Sequence, residues 1–403
     1  MIPFSPPHIN QEIIDEVVDT LKSGWITTGP KTKLFEKQLA AYCGVSSLLC
    51  VNSATFGLEL VLKWFGVTKN DEVIIPSYTY AATANAVIHT GATPVMVDCN
   101  ADDLNLDISK IRGAITSKTK VIIPVDIAGY PVDYNELNEL VKEDEIIQSF
   151  EAFSDIQKKL GRILILSDAA HSFGANYHNK VSGSLTDISI FSFHAVKNLT
   201  TAEGGAIALN LPYPFDNKQV YNYLNIFSLH GQNKDALAKS TKGNWRYDIL
   251  MPGYKGNMTD ISASIGLVGL KYYDSVNLVR RKQIFNTYQS AFSKFEWAET
   301  PIFKTASKES SYHLYLLRIK GINETERDKI IQEIYENDVA VNVHFQPLPM
   351  LTAYQYLENK IEDYPNSFHN YERLISLPVY QDLTDKQLTV IINVVTKTVE
   401  KNL

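Results

Sequence analysis

Asp187-Ile188-Ser189-Ile190-Phe191-Ser192-Phe193-His194-Ala195-Val196-Lys197-Asn198, followed closely by Glu203-Gly204-Gly205-Ala206-Ile207-Ala208-Leu209, is the stretch from which the rest of the chain is read. β-Branched and aromatic residues dominate the first run and predict a buried strand. A polar turn ends it, one lysine stands just beyond, and a Gly-Gly pair opens a second apolar run. A lysine held between two buried strands loses hydration, which disfavours the ammonium form and leaves a nucleophilic amine. Taken alone, Lys197 reads first as a surface lysine in a strand–strand loop. A second stretch reverses that order.

Ile163-Leu164-Ile165-Leu166-Ser167-Asp168-Ala169-Ala170-His171-Ser172-Phe173-Gly174 opens with four apolar residues, a fully buried strand with Asp168 at its carboxyl end. In open α/β sheets ligands bind at that end of the strands. A carboxylate there suits the pyridinium nitrogen of pyridoxal 5'-phosphate (PLP) while a lysine holds the aldehyde. By itself Asp168 reads equally well as an N-cap before Ala169-Ala170.

Together the two stretches resemble the DegT/StrS family of nucleotide-sugar aminotransferases, PLP-dependent enzymes of fold type I. The resemblance runs over nearly the whole chain, with several motifs in the family's order. It implies that Lys197 carries the cofactor and acts as the catalytic base, and that Asp168 holds the ring nitrogen. His171, often Gln in the family, is implied to lie near the ring's phenolic oxygen. Ser192, five residues before Lys197, matches a serine that contacts the cofactor phosphate; a buried structural hydroxyl is its plain alternative. His194 either faces the sugar or caps the turn.

Composition narrows the field without deciding it. A chain of 403 residues is too long for one ordinary core, so two domains are expected. The 45% hydrophobic and 21% charged content is that of a globular protein, and a net charge of −7 with scattered Lys and Arg argues against a nucleic-acid groove. Met1-Ile2-Pro3-Phe4 lacks the basic flank and apolar core of a leader, and no apolar run approaches the ~18 residues of a membrane helix. A cytoplasmic protein without a membrane partner is expected. Cys43, Cys50 and Cys99 have neither metal nor disulfide spacing, so no metal site is expected.

From the N-terminus, Asn10 caps a helix to Ser23 with Ile13, Ile14, Val17, Val18 and Leu21 on one face and Gly24 as its stop. Gly24-Trp25-Ile26-Thr27-Thr28-Gly29-Pro30 is a loop by composition; a nearly identical family segment lies beside the substrate, which implies Thr28 as a substrate contact. Thr32 to Cys43 is a second helix. Leu48 to Val51, the small-residue turn Asn52-Ser53-Ala54-Thr55 and a helix from about Phe56 to Phe65 make a strand–turn–helix that aims free N–H groups at an anion. The family binds the cofactor phosphate there, which points to Ala54 and Thr55, with Ala54 replacing the usual glycine. The strand Glu72 to Ile75 leads to Tyr80, where the family stacks an aromatic on the cofactor ring; filling a strand–helix corner is the alternative.

Pro94 to Val97 and Val121 to Val125 are further strands, closed by Asp98 and Asp126. Residues Lys142 to Arg162 depart from the family and read as a solvated helical or looped insertion. The starts at Leu48, Glu72, Pro94, Val121, Ile163, Ile188 and Ala206 give a seven-stranded, mostly parallel, doubly wound sheet with helices on both faces. Ser228-Leu229-His230-Gly231-Gln232 and the polar run to Tyr247 read as a long functional loop, with His230 a candidate substrate contact. A boundary follows: 1–257 as a large PLP-binding α/β domain and 258–403 as a small C-terminal α+β domain. That domain is expected to hold strands at Tyr312 to Ile319 and Val339 to Phe345, a helix at Thr325 to Asn337, and a last helix opened by the capping box Thr384-Asp385-Lys386-Gln387.

His344-Phe345-Gln346-Pro347-Leu348 resembles a family segment near the sugar, so His344 is a candidate substrate contact, with Pro349 where a second histidine is usual. The family implies L-glutamate as donor, a nucleotide-linked keto-sugar as acceptor, and a homodimer whose loop reaches the neighbour's phosphate through Lys255 or Asn257. Gly253 to Met258 resembles the branch that aminates C4 of UDP-linked sugars. Some relatives are sugar 3-dehydratases with histidine in place of the lysine, and Lys197 argues against that. A non-catalytic regulatory relative would not need both Lys197 and Asp168.

Overall fold

The computed structural model describes residues 1–234 and 246–403. Seven strands form the central sheet: β1 (Ser47–Val51), β2 (Glu72–Pro76), β3 (Thr93–Val97), β4 (Thr119–Ile122), β5 (Leu164–Asp168), β6 (Ile188–Ser192) and β7 (Gly205–Leu209). Their order is β1-β7-β6-β5-β4-β2-β3. All neighbours are parallel except β7, which runs antiparallel to both β1 and β6. The expected seven-stranded α/β fold is the one found.

Two-residue alternation builds a core on each side. Leu49, Val51, Val73, Ile75, Leu164, Leu166, Ile188, Ile190, Ile207 and Leu209 share one cluster with the helix α3 (Ala54–Phe65). Ile74, Ile122, Ile163 and Ile165 face the other way, and so do Cys50, Phe191, Ala206 and Ala208, which meet α2 (Pro30–Cys43). Both faces are covered, so the strands read as near-continuous apolar runs. β4 stops at Ile122 rather than the expected Val125 because Pro124 has no N–H to donate; Val125 then pairs with Asp168 in an isolated bridge.

α1 (Gln11–Ser23) has the expected Asn10 cap and left-handed Gly24 stop. Of its apolar face only Ile13 is buried, while Ile14, Val18 and Leu21 stay exposed. The insertion is helical at Asp144–Ser149 and Asp155–Leu160, but it is less solvated than expected. Ile146 is buried, and Ser154 Oγ (2.9 Å) and Gln157 Nε2 (3.2 Å) donate to the Phe65 carbonyl, closing the C-terminus of α3.

The C-terminal unit carries an antiparallel sheet in the order β8 (Ala298–Glu299), β9 (Tyr315–Ile319), β10 (Leu374–Leu377). Helices Leu278–Phe292, Glu324–Glu336 and Asp385–Asn402 pack on it, the last with the expected Thr384–Gln387 capping box. Residues 339–345 are not the expected strand. Among the described residues they form isolated β-bridges only at Val339, beside Ile2, and at Asn342, beside Ser376, because the N-terminal segment lies alongside instead of a full strand. Helix Asp260–Lys271 packs on α1 and α2, burying Ala263 with Phe35. Residues 235–245, part of the polar run after Gln232, lie outside the described residues.

Candidate active site

A cavity of about 420 Å³ opens at the carboxyl ends of the strands. It is walled by Ala54, Thr55, Tyr80, Asp168, His171, Ser192, His194, Lys197 and His344, nine of the residues singled out in the sequence. Close approach of two backbones makes this possible. Val51 and Ser192 both pair with Gly205, and any Cβ there would sit 2.6 Å from the Ala54 nitrogen. Glycine lets the turn after β1 fold across the start of β7. Ser53 caps α3 by accepting from Phe56 N at 3.1 Å, which leaves the Ala54 and Thr55 amides without an acceptor among the described residues. They are donors at a helix N-terminus, suited to an anion.

Asp168 ends β5 with its carboxylate buried. Its Oδ2 accepts from Thr83 Oγ1 at 2.8 Å and its Oδ1 from Ala170 N at 3.3 Å. Burial pushes its pKa up, against the pull of those two donors and of Lys197. The turn that follows is anchored below by Asp126, which accepts from Ser172 Oγ (2.6 Å), Tyr134 Oη (2.7 Å) and Val132 N (2.9 Å). Despite those bonds, desolvation raises the Asp126 pKa to about 6.

Lys197 follows β6 by one tight turn, its N–H donating to the His194 carbonyl at 2.9 Å. Part of its surface opens to the cavity, but protein surrounds its ammonium end. Desolvation lowers its pKa to about 8, with Asp168 holding it up. His171 is buried between His313 (ring centroids 4.5 Å apart) and Phe345 (5.8 Å), and its pKa lies well below the usual histidine range because burial penalises the cation. Its Nδ1 is buried without a hydrogen-bond partner among the described residues. His344 bonds Ser376 Oγ through Nδ1 at 2.9 Å, and desolvation takes its pKa to about 4. Tyr80 is exposed at the rim beside Phe345. His194 is exposed, 3.6 Å from Glu203.

Thr28, His230, Lys255 and Asn257 are not among the cavity walls. Thr28 is buried, donating to the Met258 carbonyl and accepting from the Asn257 amide. Its segment is fixed by Asp260, which accepts from Gly29 N (2.7 Å), Lys31 N (3.0 Å), Thr32 N (2.9 Å) and Thr32 Oγ1 (2.6 Å) and so caps α2. His230 is exposed, its N–H bonded to the Tyr254 carbonyl at 2.6 Å. Lys255 is exposed and donates to Asn257 Oδ1. The sequence reading missed His313, Thr83, Phe4, Asn342 and Glu203; all but Thr83 line the cavity. His313 stood near the start of the expected Tyr312 to Ile319 strand, with nothing local to mark it.

The cavity fits PLP on its own chemistry. A buried carboxylate that is costly to ionise calls for a cation, the free amides of α3 for a phosphate, and the unpartnered His171 Nδ1 for a polar atom of a ligand. A doubly wound sheet presenting a low-pKa lysine and such a carboxylate at its strand ends is the architecture of a fold-type-I PLP-dependent enzyme. Residues 7–396 match the DegT/DnrJ/EryC1/StrS aminotransferase family, and the chain belongs to it.

The chain is 35% identical to the spore coat polysaccharide biosynthesis protein SpsC of Bacillus subtilis, covering 98% of this chain and 96% of that one. It superposes on the putative sugar aminotransferase Spr1654 from Streptococcus pneumoniae in its PMP form with a TM-score of 0.96, at 47% identity over the whole of both chains. Against Helicobacter pylori PseC, an aminotransferase involved in the biosynthesis of pseudoaminic acid, the TM-score is 0.85 at 27% identity, over 99% of each chain. The protein is a PLP-dependent sugar aminotransferase.

Proposed function

We propose that the protein moves the amino group of L-glutamate to a nucleotide-linked keto-sugar, a UDP- or dTDP-4-keto-6-deoxy sugar. It would work in the cytoplasm, with its product entering a cell-surface polysaccharide or glycan such as lipopolysaccharide. The observation that carries this reading is the low-pKa Lys197 sharing one cavity with buried Asp168, under a wall of Asn342, His344 and Phe345 from the C-terminal unit. SpsC and PseC, each named for a sugar or polysaccharide pathway, support the sugar acceptor.

PLP, when bound, supplies the electron sink for breaking the donor's Cα–H bond. Asp168 would keep the ring nitrogen protonated, its carboxylate oriented by Thr83 and the Ala170 amide. The Ala54 and Thr55 amides with the Ser192 hydroxyl would hold the phosphate, Tyr80 would offer its ring face, and His171 its free Nδ1. Lys197, with its pKa lowered to about 8 and so a ready source of neutral amine, is suited to take a proton at Nζ from the donor and return it to the product. Assaying UDP-, GDP- and dTDP-linked keto-sugars with glutamate tests the reading; turnover of amino-acid acceptors alone would overturn it.

A homodimer with shared sites completes the proposal. The exposed Ile14, Val18 and Leu21 line up along α1, a stripe suited to burial against a second copy. Exposed Lys255 offers a full positive charge to a partner's phosphate, whereas Asn257 spends its amide on Thr28. Mixing Lys255→Ala/Asn257→Ala with Lys197→Ala should restore activity, because one site of the hybrid keeps both functions. No rescue after subunit exchange would show that the loop serves its own chain.

A further inference from the structure

The residue next to Lys197 is tied to the C-terminal unit by a short run of hydrogen bonds. Asn198 is buried; its Nδ2 donates to the Ser311 carbonyl at 2.7 Å, and its Oδ1 lies 2.9 Å from His313 Nδ1. A carbonyl oxygen only accepts, so the contact to Ser311 fixes which end of the amide carries the hydrogens. Oδ1 therefore faces His313, and an amide oxygen also only accepts, so His313 Nδ1 must carry a proton. Burial, with His171, Lys197, Arg281 and His344 all facing it, holds the His313 pKa well below its usual range, so the ring is neutral. A neutral ring protonated at Nδ1 has its lone pair on Nε2.

The same asparagine is held from behind. Its carbonyl accepts from Asn277 Nδ2 at 2.9 Å, and Asn277 Oδ1 accepts from Arg281 Nε at 2.9 Å. Arg281 is buried and spends Nη1 on the carbonyls of Tyr312 (3.3 Å) and Val379 (3.2 Å). Ser311 Oγ donates to the His171 carbonyl, which joins the His171 turn to the same cluster. His313 lines the cavity and packs on the His171 ring.

We propose that His313 is a positioning residue whose tautomer is locked by Asn198, so that the cavity wall beside Lys197 presents a lone pair and no proton. Locked in this way, it backs the His171 ring and places no second cation beside the lysine that must give and take a proton. The inference rests on Lys197 being the amine that handles the proton, and its test separates the two ideas. Neutron diffraction from deuterium-exchanged crystals of the holoenzyme should show a deuteron on His313 Nδ1 and none on Nε2. A deuteron on Nε2 overturns the lock whatever Lys197 does, whereas borohydride labelling of another lysine overturns the role of Lys197 and leaves the tautomer standing.

Variants then test the consequence. In Asn198→Asp a carboxylate faces Nδ1 and favours the imidazolium. The acid limb of the kcat/KM profile should then steepen, because His313 adds an ionisation that wild type lacks in this range, costing about tenfold at pH 7 with recovery at pH 9. Asn198→Ala should lower kcat/KM at every pH without steepening that limb. The same limb in wild type and both variants would reduce Asn198 to packing and refute the proposal.

Discussion

Asp168→Asn separates charge from shape at this site. The two donors to the carboxylate, Thr83 Oγ1 at 2.8 Å and Ala170 N at 3.3 Å, can both be met by an amide. The amide oxygen takes the backbone N–H, and the Thr83 hydroxyl, 3.0 Å from Thr79 Oγ1, turns to accept from Nδ2. No buried polar atom is orphaned and a costly buried charge is removed, so stability should change by no more than about 1 kcal/mol. Chemistry should suffer far more. The neutral amide cannot hold a protonated ring nitrogen, a preorganised electrostatic contact of the kind worth about 3–4 kcal/mol, or a 100- to 1,000-fold loss. Single-turnover absorbance with glutamate would measure it, beside a thermal melt. A near wild-type rate would reduce Asp168 to a cap for the Ala170 turn, and a large fall in the melting temperature would mean the loss came from misfolding.

Two further outcomes follow from the same geometry. As the proposed aldehyde-binding lysine, Lys197 would react as the neutral amine, so PLP uptake by the apoprotein should quicken about tenfold per pH unit and level off above pH 8; continued rise toward the ordinary lysine value of about 10.4 would show a solvated ammonium. Asp260→Ala removes one acceptor from three backbone N–H groups and a hydroxyl in a buried setting, so it should cost about 3–5 kcal/mol and lower the melting temperature by about 5–10 °C; an unchanged melt would mean that water replaces the carboxylate at the start of α2.

Lys197 and Asp168 were legible in sequence because each sits at the end of an unmistakable apolar run, and a strand fixes where its last residue lies. The seven strands were legible for a related reason: with both faces covered, each reads as an uninterrupted buried segment. α1 shows the limit. Its periodicity found the helix and both ends, yet Ile14, Val18 and Leu21 remain exposed in the single chain, since amphipathicity says which residues share a face and not what covers them. The 142–162 segment looked solvated because its charges dominate its composition, while Ile146 and Gln157 do the packing.

What only the tertiary structure decided is how distant residues meet. Thr28 sits in a segment that resembles a substrate loop, but its hydroxyl is committed to Met258 and Asn257, some 230 positions away. Asp260 begins one helix and its carboxylate caps another, more than 220 residues earlier in the chain. His313, Thr83 and Asn198 carried no local pattern, because a hydrogen bond across 115 or 85 residues leaves no periodicity in the chain. Local sequence sets which residues stand at strand ends and turns, through backbone geometry that repeats every two or 3.6 residues. Which side chains then share a proton is set by the packing of whole elements, and that is determined only once the chain has closed on itself.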